Sequence, residues 1–131
     1  MSAPELPADV LDLIARHLDS MAQVEVLLLL HRGAQQEWQA YQVAHELRIE
    51  TLAAAAHLET LAANRLARSD DAAPASYRYA PATPALEQAV DNLRVAYNTR
   101  PVTLVNALYA RPARAIRSFA DAFRIRPTGE K

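Results

Sequence analysis

The chain has no cysteine, which excludes disulfides, thiolate nucleophiles and cysteine-ligated zinc and fits a reducing compartment. A cytoplasmic location is therefore the expectation. Glycine occurs only twice in 131 residues, so a glycine-rich phosphate-binding loop cannot be built. Alanine and leucine dominate instead, and helix propensity is high along nearly the whole chain. An excess of positive charge is missing as well: 14 Lys and Arg stand against 15 Asp and Glu, where nucleic-acid-binding domains are usually basic. The longest apolar run, Val24 to Leu30, contains Glu25 and falls well short of the roughly 20 residues needed to cross a bilayer. No transmembrane segment is expected. The first residues include Glu5 and Asp9 and no basic stretch, so no secretory leader is expected either.

The apolar fraction, 51%, is enough for one compact domain with a core of its own. Charge is unevenly spread. Residues 1–100 hold eight basic and thirteen acidic side chains, and residues 101–131 hold six and two. Pro7 and Asp9 suit a first helical turn, with Val10, Leu11, Ile14 and Leu18 as its apolar stripe. Ser20 with Gln23 predicts a capping box. The helix that follows is apolar on nearly all sides until Gly33 stops it. Glu37 and Trp38 form a candidate short strand, followed by a helix over Ala40 to Leu47 and another over Thr51 to Asn64, for whose N-cap Glu50 and Thr51 compete, Thr51 being chemically the better candidate. Leu66 to Ser69 and Ser76 to Tyr79 predict a hairpin, since Tyr77 and Tyr79 alternate with Arg78 as a half-buried strand requires. Thr83 and Pro84 open a further helix lined by Leu86, Val90, Leu93 and Tyr97. Asn98 to Pro101 interrupts it, and the next helix carries Val102, Val105, Leu108 and Tyr109 up to Arg111 and Pro112.

The stretch from Ile49 to Ala67, with apolar residues at Ile49, Ala54, Leu58, Leu61 and Leu66, resembles the recognition helix and strand entry of bacterial winged helix-turn-helix transcriptional regulators. The resemblance covers about residues 20–80. It implies a mainly α fold with a small β-hairpin wing, organised as an N-terminal helix (1–19), the winged helix-turn-helix (20–80), a C-terminal helical extension (81–126) and a frayed tail (127–131). The extension would pack on the same domain or form a homodimer interface, for which Leu86, Val90, Leu93, Tyr97, Ile116, Phe119 and Phe123 are the candidates. The family's geometry implies that the helix from Thr51 to Asn64 enters the major groove of double-stranded DNA while the wing lies beside the phosphates. Groove-facing positions would be Thr51, Leu52, Ala53, Ala55, Ala56, His57 and Thr60. Of these only Thr51, His57 and Thr60 can hydrogen-bond, and Arg65, Arg68 and Arg78 are the phosphate candidates.

Composition pulls against that role. Residues 20–80 carry five basic and seven acidic side chains, although neutralising phosphates supplies most nonspecific affinity. Asp70 and Asp71 occupy the hairpin turn, and Arg, Lys, Asn and Gln, the chief readers of base edges, are absent from the helix before Asn64. A winged-helix protein-protein interaction module without autonomous DNA binding is therefore the alternative: short alanine side chains permit close approach of a partner.

Enzymatic chemistry is not expected. His17, His31, His45 and His57 suggest a metal, but His45 and Glu46 are followed by Ile49 where a zinc-protease helix needs its second histidine. No nucleophile elbow is present, and no cofactor or metal is expected. From Pro112 the last helix would set Ile116, Phe119 and Phe123 opposite Arg114, Arg117 and Arg124. Such an amphipathic surface suits core packing, a dimer or partner contact, flanking DNA, or peripheral contact with an anionic membrane.

Overall fold

The computed structural model describes residues 6–110. The elements, in chain order, are α1 (Ala8–His17), α2 (Met21–Arg32), β1 (Trp38–Gln39), α3 (Ala40–Leu47), α4 (Thr51–Ala63), β2 (Ala67–Ser69), β3 (Ser76–Tyr79) and α5 (Pro84–Thr99). Residues 101–110 are again helical. The strands form one antiparallel sheet in the order β1-β3-β2. Helix α2, β1, the α3-turn-α4 pair and the β2-β3 hairpin together make a winged helix-turn-helix, and the fold is mainly α as the sequence implies.

Helix α2 is the central element. Val24 and every residue from Val26 to Leu30 are buried, as expected of a helix apolar on all sides. Val43 of α3 and Ala54, Leu58 and Leu61 of α4 belong to the same hydrophobic cluster, as do Val10 and Ile14 of α1 and Val90 and Leu93 of α5. The N-terminal helix and α5 thus share one continuous core with the winged segment. No helix among the described residues is long and apolar enough to cross a membrane.

Several local expectations shift. In α1 the inward stripe uses Leu13, while Leu11 is 39% exposed. Both stripes contain Val10 and Ile14, and docking on α5 selects between them. The Ser20 side chain accepts from Gln23 N–H at 3.1 Å, but Gln23 Oε1 reaches Asp19 N–H at 2.9 Å instead of closing the box on Ser20. The first strand is Trp38–Gln39 and not Glu37–Trp38, because β1 exists only where β3 pairs with it, Trp38 opposite Tyr77 and Gln39 opposite Ser76. Strand β2 likewise begins at Ala67, one residue late, opposite Tyr79. Helix α4 ends at Ala63, and its N-cap is Glu50, with no side-chain cap bond, in place of Thr51. The tight turn explains this last shift: Ile49 packs against the core, so Glu50 is already extended and its carbonyl accepts from Ala54 N–H at 2.9 Å.

Candidate nucleic-acid interface

The helix-turn-helix is built by a short turn with one unusual residue. Arg48 adopts the left-handed conformation, φ 60°, and its N–H caps α3 on the Ala44 carbonyl. Ile49 N–H bonds the same carbonyl at 3.1 Å. At the other end of α3, Gln42 Oε1 accepts from Gln39 N–H at 2.8 Å. Both ends of the helix that supports α4 are therefore tied down.

Helix α4 buries Ala54, Leu58 and Leu61 and turns Thr51, Leu52, Ala53, Ala56, Glu59 and Thr60 to solvent. Thr51 and Thr60 thus lie on the outward face, and His57 and Ala55 are half-buried at its border. Leu52 is 83% exposed, the largest apolar side chain on that face. The face is uncharged apart from Glu59, and its side-chain hydrogen-bond donors are confined to the short hydroxyls of Thr51 and Thr60.

Positive charge comes from the segment after α4. Arg65 is also left-handed, φ 66°, with its N–H on the Ala62 carbonyl and its own carbonyl accepting from Ala82 N–H at 2.9 Å. These bonds fix Arg65 where α4 and the approach to α5 meet. Arg65 and Arg68 line an open groove beside Ala62 and Asp71. In the hairpin, Arg68 pairs directly opposite Arg78, and both are exposed. Arg68 and Arg78 in turn line a smaller cleft with Glu37 and Tyr77. Arg68 thus borders both the groove that Arg65 lines and the cleft that Arg78 lines. Like charges placed directly across antiparallel strands repel, so the opposition of Arg68 and Arg78 favours an anion beside them.

The acidic wing tip is partly accounted for by the turn itself. Asp70 Oδ1 accepts from Ala72 N–H and Ser76 N–H, each at 2.9 Å, and these two bonds hold its carboxyl below the usual carboxylate value. Asp71, with φ 60°, donates its N–H to Ser69 Oγ at 3.0 Å. Burial raises the Tyr77 hydroxyl pKa, and the negative charge of Glu59 adds to it. Glu37, which the sequence offered only as strand material, is a component of this site: its Oε2 lies 3.5 Å from Arg78 Nη2. No local signal marks that pair, because β1 meets β3 only in the folded sheet.

The other candidates lie elsewhere. Val90 and Leu93 are fully buried in the chain's own core, and Leu86 and Tyr97 pack against it. Ile116, Phe119 and Phe123, with the helix expected from Pro112, lie outside the described residues. Among the described residues of this half, Val95, Val102 and Tyr109 are instead the exposed large apolar side chains, at 56%, 71% and 75%. A cleft of about 270 Å³ between α2, α3 and α5 includes Glu25, Arg32, Glu46, Arg94 and Tyr97. Most of its polar groups are mutually engaged: Arg32 with Glu46, Tyr97 with Glu25, and Arg94 with the Leu28 carbonyl. Among the described residues no group of three His, Asp or Glu is placed to hold a metal. His31 instead sits 2.9 Å from Asp91 and edge-on to Tyr79. Burial, followed by the charges of Asp91 and Glu87, pushes the Tyr79 hydroxyl pKa upward.

No protein-family model matches the chain, and no curated protein matches its sequence. Among solved structures, it is similar to a mutant of ZitR from Lactococcus lactis, 20% identical over 82% of this chain and 74% of that one, at a TM-score of 0.45. It is also similar to the adhesin competence repressor AdcR from Streptococcus pyogenes, 18% identical over 88% and 87% of the two chains, again at 0.45. The winged helix-turn-helix is defined by the chain's own element order and strand register.

Proposed function

We propose that this protein is a non-enzymatic, winged-helix transcriptional regulator-like protein that binds double-stranded DNA. The observation that carries this reading is the opposition of exposed Arg68 and Arg78 in the hairpin, with Arg65 lining the groove next to Arg68, beside a helix-turn-helix. Helix α4 enters the major groove with Thr51, Thr60 and the bordering His57 as its hydrogen-bonding side chains, and Arg65, Arg68 and Arg78 contact phosphates. Alanines and Leu52 supply shape and apolar contact, so base discrimination is weak and affinity comes mainly from the backbone. The exposed Val95, Val102 and Tyr109 support pairing with a second copy through the outward side of the C-terminal helices. Regulation of transcription places the protein in the cytoplasm.

Fluorescence anisotropy with a pool of genomic duplexes at two salt concentrations, together with light scattering, tests this reading. The expected result is a dimer whose affinity falls steeply with salt. Absence of binding at low salt overturns it. The second reading, a protein-interaction module, is favoured by one feature: Leu52 on α4 and Tyr41 on α3 are 83% and 60% exposed. On that reading DNA is not bound even at low salt, and Leu52→Asp abolishes capture of the protein partner while leaving stability intact.

A further inference from the structure

We propose that Glu37 is an intramolecular substitute for a DNA phosphate: it occupies Arg78 in the free protein and must be displaced when the wing engages the duplex. The inference rests on the DNA-binding reading above and assigns an affinity-setting residue within that site. Glu37 directly precedes β1, and pairing of Trp38 with Tyr77 brings it beside the next residue of β3, Arg78. The carboxylate is 3.5 Å from the guanidinium, and the two side chains are 58% and 50% exposed. Such a contact is weak and open to water, so it can be exchanged. A guanidinium presents the same donors to a carboxylate and to a phosphate oxygen, so the two acceptors compete for Arg78.

Neighbouring groups single out Glu37 as the competitor. Asp70 lines the same cleft, but its Oδ1 is engaged by two backbone N–H groups in the turn. Arg68, opposite Arg78, enters no ion pair among the described residues and needs no such release. Of the two arginines facing each other across the hairpin, one is ready for an anion and one is occupied.

Four proteins decide the matter: wild type, Glu37→Gln, Arg78→Gln and the double variant, titrated by anisotropy into one duplex pool at several salt concentrations. Glu37→Gln is expected to tighten binding about twofold to fivefold, the range that an exposed ion pair represents. Its salt dependence should be unchanged or slightly steeper, because the phosphate contact of Arg78 is already made in the wild-type complex and salt no longer weakens a competing internal pair. In the Arg78→Gln background the same change should have little effect. Equal tightening with and without Arg78 overturns the inference, since it reduces Glu37 to a general negative charge. Unchanged affinity in Glu37→Gln, with wild type binding, also overturns it and leaves the DNA-binding reading standing. Failure of wild type to bind at low salt overturns both.

Discussion

Arg48 and Arg65 hold left-handed backbone, φ 60° and 66°, a conformation that costs a residue with a Cβ about 1–2 kcal/mol. At Arg48 the position is a helix C-cap of the type that glycine usually fills. Arg48→Gly is therefore expected to raise stability by about 0.5–1 kcal/mol, read as a higher midpoint in urea denaturation with an unchanged slope. Asp70 gives a pH prediction of defined sign. Its folded pKa lies below the ordinary 3.8, because Ser76 and Ala72 N–H groups hold the charged form. The contribution of this carboxylate to the turn is complete above that ordinary value and is lost as pH falls through the lowered one. Amide exchange at Ala72 and Ser76 should accelerate in that acidic window, and in Asp70→Ala it should already be fast at neutral pH.

At the level of elements, α4 has one face that builds the core and one that is open to solvent. Leu58 is wholly buried and Leu52 is 83% exposed. Leu58→Ala should cost about 2–5 kcal/mol, whereas Leu52→Ala should stay within about 0.5 kcal/mol of wild type, both measured by urea denaturation. Elements with strong local signals were legible in the sequence. Helix α3 keeps its expected bounds, β3 follows the Tyr77-Arg78-Tyr79 alternation, and Thr83 caps α5, its Oγ1 accepting from Leu86 N–H at 3.1 Å. Elements defined by a distant partner were less so. Strand β1 shifted by one residue because β3 sets its register, and Leu13 replaced Leu11 because α5 covers that side of α1. The three arginines could be named from sequence, but the opposition of Arg68 and Arg78 and the engagement of Glu37 arise from strand pairing alone.

Across the whole molecule, α5 is bound to the winged segment and to α1 by contacts between residues distant in sequence. Asn92 Nδ2 donates to Asp9 Oδ2 at 2.8 Å, Arg94 Nη2 to the Leu28 carbonyl at 2.6 Å, and His31 Nε2 is 2.9 Å from Asp91 Oδ1. With Leu93 fully buried in the common core, residues 6–99 should unfold together. Calorimetry is expected to give equal calorimetric and van't Hoff enthalpies, and Leu93→Ala to lower one transition by about 2–5 kcal/mol without splitting it. Trp38 lies beside the Glu37–Arg78 pair: it is the chain's one tryptophan, 8% exposed, paired with Tyr77 and adjacent to Glu37. Indole emission responds to nearby charge and water, so displacement of the Glu37 carboxylate should change the protein's own fluorescence. The strand that restrains the wing thereby carries an optical reporter of its release, and occupation of Arg78 can be followed without attaching a label to protein or ligand.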